Sequence, residues 1–153
     1  MALKMKSSAF NDGERLPTKY TCEGENVSPP LTWAGNPDGT RSFAMVMDDP
    51  DAPGKTFTHW VIYNIPAFVN SLPEGLPVDA QLSDGMLQGR NDYGDTGYKG
   101  PCPPPGKPHR YRFHIYALDR TLNLRPGASK TELLSEIEGS PIESFSLTGL
   151  FER

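Results

Sequence analysis

Short apolar runs separated by turns rich in glycine and proline occupy most of the chain. Three of these runs, residues 42–47, 60–65 and 110–118, predict strands. β-Branched and aromatic side chains dominate the second run, and side-chain type alternates along the third, as expected in a mainly antiparallel sheet. Residues 31–33 and the segment before Asn11 are weaker strand candidates.

One helix is predicted among these strands. Ser129 and Glu132 have the spacing of a capping box, in which hydroxyl and carboxylate each bind the other residue's backbone N–H. The turns that follow carry one apolar stripe, which includes Leu133 and Ile137. Residues 145–151 predict either a last strand or a short helix. The pattern therefore indicates a mainly β fold with one or two peripheral helices.

Composition narrows the class of protein. The chain has 153 residues and 36% hydrophobic residues, which suits one domain over residues 1–153. Its net charge is −4, its pI is about 5.3, and no run of lysine or arginine interrupts that balance. A nucleic-acid-binding protein needs a basic face, so we expect no nucleic-acid partner. Any anion must therefore bind at a local site, against an unfavourable long-range field.

Location and redox state are less constrained by the sequence. No stretch approaches the roughly 20 apolar residues of a transmembrane segment, so none is predicted. The first residues lack the apolar centre of a signal peptide, and we expect a cytoplasmic location. Cys22 and Cys102 are too few for a disulfide framework. Whether they pair is open, because a bridge needs Cα atoms within about 7 Å.

An acidic, proline-rich segment, DDPDAP at 48–53, follows the strand over residues 42–47. Its prolines fix φ near −65° and stiffen the turn. A functional interpretation is that a rigid loop aims one carboxylate, that of Asp49. The alternative is an ordinary surface turn, since aspartate and proline are common turn residues.

Two histidines begin predicted strands. Alternation places His59 on one face with Val61 and Tyr63, and Trp60 on the other. It also places His109 and Tyr111 together, with Arg110 opposite.

The intervening segment, GYKGPCPPPG at 97–106, is stiff where proline dominates and can bring bare backbone close to a ligand at its glycines. Two imidazoles, a phenol, a carboxylate and glycine amides together suit a phosphate-like anion. In such a site Asp49 orients an imidazole.

At these residues the chain resembles the phosphatidylethanolamine-binding protein family, which includes Raf kinase inhibitor proteins. It is most similar to the short bacterial and archaeal branch, and the resemblance runs essentially end to end. The matching blocks are NVSPPLTW at 26–33, DPDAP at 49–53, HW at 59–60, GYKGPCPP at 97–104, HRY at 109–111 and GLFER at 149–153.

The resemblance implies a large central antiparallel sheet packed on a smaller sheet, and a small pocket for phosphate-like anions without a cofactor or metal. The ligand-binding residues it implies are Asp49, His59, Gly100, His109 and Tyr111. The pocket rim it implies comprises Asp51, Pro53, Trp60, Pro101 and Cys102. Cys102 stands where eukaryotic members have a second glycine.

Two classes of function follow. The first is a binding or regulatory protein for a small phosphorylated ligand, with a kinase or protease as the target that the family suggests. The alternative is an enzyme, either a hydrolase with Cys102 as nucleophile and His109 as base, or a metal site of Asp49, His59 and His109. The sequence leaves open the physiological ligand, the protein target and the oligomeric state, a homodimer included.

Overall fold

The computed structural model describes residues 2–139 and 141–153. Strands dominate it, and all six strand pairings are antiparallel, so the predicted mainly β fold is confirmed. The strands are β1 (Lys4–Lys6), β2 (Leu31–Ala34), β3 (Ser42–Asp49), β4 (Phe57–Pro66), β5 (Ser71–Leu72), β6 (Leu87–Gln88), β7 (His109–Leu118) and β8 (Pro141–Phe151). Two short 3-10 turns lie at Thr18–Tyr20 and Ser83–Gly85.

The strands form two sheets. The smaller has the order β1-β2-β5 and the larger the order β6-β4-β3-β7-β8. The main core lies where the two sheets pack together, and it includes Trp33 from the small sheet and Phe43 from the large one. Their rings meet edge to face at a centroid distance of 5.6 Å. A large sheet packed on a smaller one is the arrangement that the resemblance implies.

Strand β3 lies at the centre of the large sheet, and all eight of its residues are buried. Met45 and Met47 face the core between the sheets, whereas Ala44 and Val46 face a second apolar cluster on the opposite side. A strand covered on both faces needs apolar residues at successive positions, which explains the continuous run seen in the sequence.

Helix α1 (Lys130–Ile137) covers part of that second face. The predicted capping box is present: the Ser129 hydroxyl accepts from the Glu132 N–H, and the Glu132 carboxylate accepts from the Ser129 N–H, both at 3.1 Å. Leu133 and Ile137 are buried against the sheet, as the stripe predicts. Residues 145–151 lie within β8, which decides between strand and helix for that segment. In the described residues no helix is long and apolar enough to span a membrane.

Strand β4 carries one extra residue opposite the end of β3. Met47 pairs with Trp60, whereas the next residue, Asp48, pairs with Thr58. His59 is the additional residue, and such a bulge interrupts the regular alternation of side chains between the two faces.

The bulge changes where His59 lies. Its ring is 5.4 Å from that of Tyr111, on the side of the sheet that faces the main core. Val61 and Tyr63 belong to the opposite cluster. The expectation that His59 shares a face with them is therefore wrong, because it assumed alternation without a bulge.

Candidate functional site

A pocket of about 160 Å³ opens where β3 ends and where β4 and β7 begin. Antiparallel pairing brings these strand termini together, so residues far apart in sequence meet there. The residues that line it are Asp49, Phe57, His59, Tyr93, Cys102, Pro103, Pro104, His109 and Tyr111. Four of the five expected ligand-binding residues are therefore in one place.

Asp49 and His109 line the pocket as a hydrogen-bonded pair. The His109 Nδ1 atom lies 2.7 Å from Asp49 Oδ2, and each side chain is 4% exposed. The other carboxylate oxygen, Oδ1, accepts the Asp51 N–H at 2.8 Å, which ties the carboxylate to its own stiff turn. Because a carboxylate can only accept here, Nδ1 carries the proton and Nε2 is the nitrogen left for a ligand.

His59 is held in a similar way by the backbone. Its Nδ1 atom donates to the Lys99 carbonyl at 2.7 Å, which again leaves Nε2 unused. Burial lowers the pKa of His59, outweighing the attraction of the Lys99 carbonyl and of Asp49. The ring is therefore uncharged at neutral pH and gains a second donor only when it is protonated.

Tyr111 supplies a phenol that is fully buried. Among residues 2–139 and 141–153, its hydroxyl has no hydrogen-bond partner. Burial, reinforced by the charge of Asp49, raises the pKa of Tyr111, so the hydroxyl stays protonated. A buried donor without an acceptor is costly, and at the edge of a pocket it points to a group that binds there.

An aromatic wall completes the pocket. The Phe57 ring lies 4.9 Å from both His59 and Tyr93. The Asn91 carboxamide oxygen accepts the Tyr93 N–H at 3.0 Å and so shapes the loop that carries this tyrosine. The Lys99 ammonium lies 5.0 Å from the centre of the Tyr93 ring, within the range of a cation–π contact.

Cys22 and Cys102 form a disulfide, with Cα atoms 5.4 Å apart. This answers the question that the sequence left open. Cys102 lines the pocket, and the Cys22 N–H donates to the Pro101 carbonyl at 3.0 Å, so the bond fixes one wall. The hypothesis of a Cys102 thiolate nucleophile is wrong for this state, because the sulfur is already bonded.

Gly100 does not line the pocket. Its N–H donates to Asn26 Oδ1 at 2.7 Å, so this amide is already used. A Cβ at this position would lie 2.1 Å from the Tyr20 carbonyl oxygen. Glycine is therefore required for close packing of two loops, and the structure offers no free Gly100 amide to an anion.

Four of the five expected rim residues also lie elsewhere. Pro101 is buried, and its carbonyl accepts the Cys22 N–H beside the disulfide. Trp60 is fully buried and donates its indole N–H to Gln88 at 2.7 Å, because it pairs with Met47 and lies with Ile62 on the face of β4 that packs into the main core. Asp51 is bound to the Arg110 guanidinium, with distances of 2.8 and 3.0 Å. Pro53 is exposed on the acidic turn. The placement of these residues on the rim is corrected accordingly.

Four lining residues were not singled out as site residues from the sequence. Phe57 pairs with Asp49 across β3 and β4, so knowledge of the strand pairing would have found it. Pro103 and Pro104 directly follow Cys102 in a matched block. No sequence pattern predicts Tyr93 as a site residue, because it lies on a loop whose position depends on tertiary packing.

The suggested metal site receives no support from the geometry. Both carboxylate oxygens of Asp49 accept protein N–H groups, from His109 and from Asp51. In the part of the chain that the structure describes, no group of three or more His, Cys, Asp or Glu side chains is placed to hold an ion.

Known proteins share both the sequence and the fold. The sequence profile of the phosphatidylethanolamine-binding protein family matches residues 6–152. A UPF0098 protein from Methanothermobacter thermautotrophicus is 52% identical over 151 residues, which is 99% of each chain. Escherichia coli YbcL, described as a new member of the mammalian PEBP family, superposes with a TM-score of 0.91 at 37% identity, over 100% of this chain and 99% of its own. A Chlamydia trachomatis structure gives a TM-score of 0.90 at 37% identity and covers 99% of this chain and 98% of its own. The chain belongs to the phosphatidylethanolamine-binding protein family.

Proposed function

We propose that the pocket binds a small phosphate-like anion, such as the head group of a phosphate ester. The observation that carries the proposal is the Tyr111 hydroxyl beside the pocket, which is buried and protonated and finds no acceptor among the residues that the structure describes. His59 and His109 present their free Nε2 atoms to the same pocket. The Tyr111 hydroxyl is a donor at all relevant pH values, and each imidazole becomes a second or third donor through Nε2 when it is protonated. Such a set suits a tetrahedral oxyanion.

The charge of the site depends on protonation. With both imidazoles protonated, the pair of His109 and Asp49 is neutral and His59 adds one positive charge. A neutral His59 offers a lone pair instead, which repels an anion. Anion binding therefore raises the pKa of His59, and protonation of His59 raises the affinity for the anion by the same factor.

The size of the pocket favours a head group over a whole lipid. Its volume of about 160 Å³ is smaller than the roughly 300 Å³ at which drug-sized ligand sites begin. We therefore propose that any larger ligand places only its phosphate inside and extends outward past the aromatic wall of Phe57 and Tyr93.

We further propose that the protein acts by binding and not by catalysis. The sulfur of Cys102 is bonded to that of Cys22, and each oxygen of the Asp49 carboxylate accepts a protein N–H. Neither side chain is therefore an activated nucleophile. A role as regulator of a kinase or protease is a hypothesis from the family, in which a phosphorylated segment of the target occupies the pocket. The predicted cytoplasmic location stays a prediction, and the disulfide is more typical of oxidising compartments.

Isothermal titration calorimetry with phosphate and phosphoethanolamine tests the proposal. We expect both ligands to bind at pH 6, and we expect His59→Gln and His109→Gln each to weaken binding by about tenfold or more. His114→Gln is the matched control, because this third histidine contacts Ser146 on the other face of the sheet. Absence of binding by the unmodified protein, or equal loss in all three variants, would contradict the proposal.

A further inference from the structure

A second cavity, of about 620 Å³, lies between β1, β2 and β8. We call it the β1 groove. It shares no lining residue with the anion pocket. Its volume falls within the roughly 300 to 1,000 Å³ of sites that hold small organic molecules.

The interior of the β1 groove is apolar. Met5, Trp33 and Phe145 line it, one residue from each of the three strands. Met5 and Trp33 are almost completely buried, whereas Phe145 is half-buried and packs against the main core. Of these three side chains, Phe145 therefore offers most of the surface that a ligand in the groove would contact.

The border of the groove is positively charged. Lys4 and Lys6 lie on the same exposed face of β1 and line the groove. Within the described part of the chain neither forms an ion pair, although the protein has a net charge of −4. Two unpaired ammonium groups beside an apolar cavity complement a ligand with an anionic end and an apolar body.

The Trp33 indole adds a second polar feature. Its Nε1–H is buried, and across residues 2–139 and 141–153 it has no acceptor. The other tryptophan, Trp60, donates to Gln88. An orphaned donor on a residue that lines a cavity points to an acceptor supplied by a ligand.

We propose that the β1 groove binds a small anionic amphiphile, with its chain against Phe145, close to the buried Trp33 indole, and its carboxylate or phosphate head near Lys4 and Lys6. The apolar interior selects the chain, and the lysines select the charge of the head group. A fatty acid and a single-chain phosphate ester share this chemistry.

The two tryptophan indole signals in ¹H–¹⁵N NMR spectra give a local readout, with Trp33→Phe for assignment. We expect laurate and dodecyl phosphate, each below its critical micelle concentration, to shift the Trp33 signal and leave Trp60 in place. The amphiphile that reaches half of its own maximal Trp33 shift at the lower concentration carries the preferred head group. Dodecyl maltoside, which has a neutral head, should bind more weakly.

Charge variants test the role of the lysines. The double variant Lys4→Gln/Lys6→Gln should weaken laurate binding by about fivefold, a modest effect because both ammonium groups are exposed. Lys55→Gln/Lys107→Gln removes the same charge from exposed positions outside the groove and should leave binding unchanged.

Three results would overturn the proposal. The first is an unshifted Trp33 signal with both anionic amphiphiles. The second is equal laurate affinity in the two double variants, or equal affinity for laurate and dodecyl maltoside. The third is a Trp33 shift that follows protein concentration without ligand, which would mean that a second copy of the chain covers the groove.

Discussion

The Nδ1 atom of His109 lies 2.7 Å from Oδ2 of Asp49, in a pair that is nearly inaccessible to solvent. Such a short contact between buried groups fixes both the tautomer and the orientation of the ring. The free Nε2 atom consequently faces the pocket that Tyr111 and His59 also line. Asp49 therefore contributes to binding through His109 and is a positioning residue.

Replacing Asp49 by asparagine should show this positioning role. The variant keeps the shape of the side chain but removes the charge, so we expect a loss of about 1.5–3 kcal/mol in the free energy of unfolding. Sulfate affinity should fall by about tenfold, because a neutral amide is a weaker acceptor for the His109 Nδ1–H and holds the ring less firmly. Calorimetry and urea unfolding measure both effects, and Asp38→Asn on an exposed turn is the control. Unchanged sulfate affinity in Asp49→Asn would be inconsistent with positioning.

Tyr111→Phe should separate stability from binding. The hydroxyl is buried and has no hydrogen-bond partner in the described part of the chain, so its removal should leave the free energy of unfolding unchanged or raise it by about 1 kcal/mol. The same variant should bind sulfate about fivefold to tenfold more weakly, because one donor is lost. Thermal unfolding with and without sulfate measures both quantities. A destabilised variant with full sulfate affinity would show that the hydroxyl serves the fold instead.

Breaking the disulfide should weaken both the fold and the pocket wall. Cys22 and Cys102 are separated by 80 residues in sequence. A bridge that closes a long loop restricts the unfolded chain and typically contributes about 2–4 kcal/mol. We expect Cys22→Ser/Cys102→Ser, and the reduced protein, to melt at a lower temperature, which scanning calorimetry would detect. An identical melting temperature with and without reductant would count against this role.

Gly100→Ala should destabilise the fold. The added carbon would lie 2.1 Å from the Tyr20 carbonyl oxygen, so two loops must separate. Overpacking of this kind costs about 1–3 kcal/mol. Gly149→Ala is a milder comparison, since its added carbon would meet a Phe10 ring atom at 3.1 Å. Equal melting temperatures for the Gly100 variant and the unmodified protein would refute the packing role.

Periodicity and capping predicted much of this fold. The continuous apolar run of β3 and the spacing of Ser129 and Glu132 are local patterns. Such patterns can be recognised in the sequence without knowledge of the tertiary structure. Alternation also placed His109 and Tyr111 on one face, where both line the pocket. What alternation could not reveal is the bulge at His59, because an extra residue shows only in the pairing between two strands.

Tertiary packing explains the site residues that the sequence misplaced. Trp60 packs into the main core beside Ile62, and the Gly100 N–H binds Asn26 on a distant loop. Tyr93 reaches the pocket through a loop that Asn91 shapes by hydrogen bonds. Contacts between loops depend on tertiary packing, which no local pattern in one sequence encodes.

The titration of His59 tests the central claim most directly. Burial lowers its pKa below the usual 6.5, so the unfolded chain binds this proton more readily and His59 reduces stability as the pH falls through about 6.5. An anion that contacts the imidazolium opposes that shift. Sulfate is a suitable probe because it keeps its charge across the range in which histidine titrates.

The decisive measurement is the pKa of each imidazole by NMR, with and without sulfate. We predict that sulfate raises the pKa of His59 by about one unit, equivalent to about 1.4 kcal/mol, and that it moves the ring signals of His109. His114, on the opposite face, should not change and serves as an internal control. An unchanged pKa of His59 together with unmoved ring signals of His109 at saturating sulfate, or an equal movement of the ring signals of all three histidines, would contradict an anion site between His59 and His109.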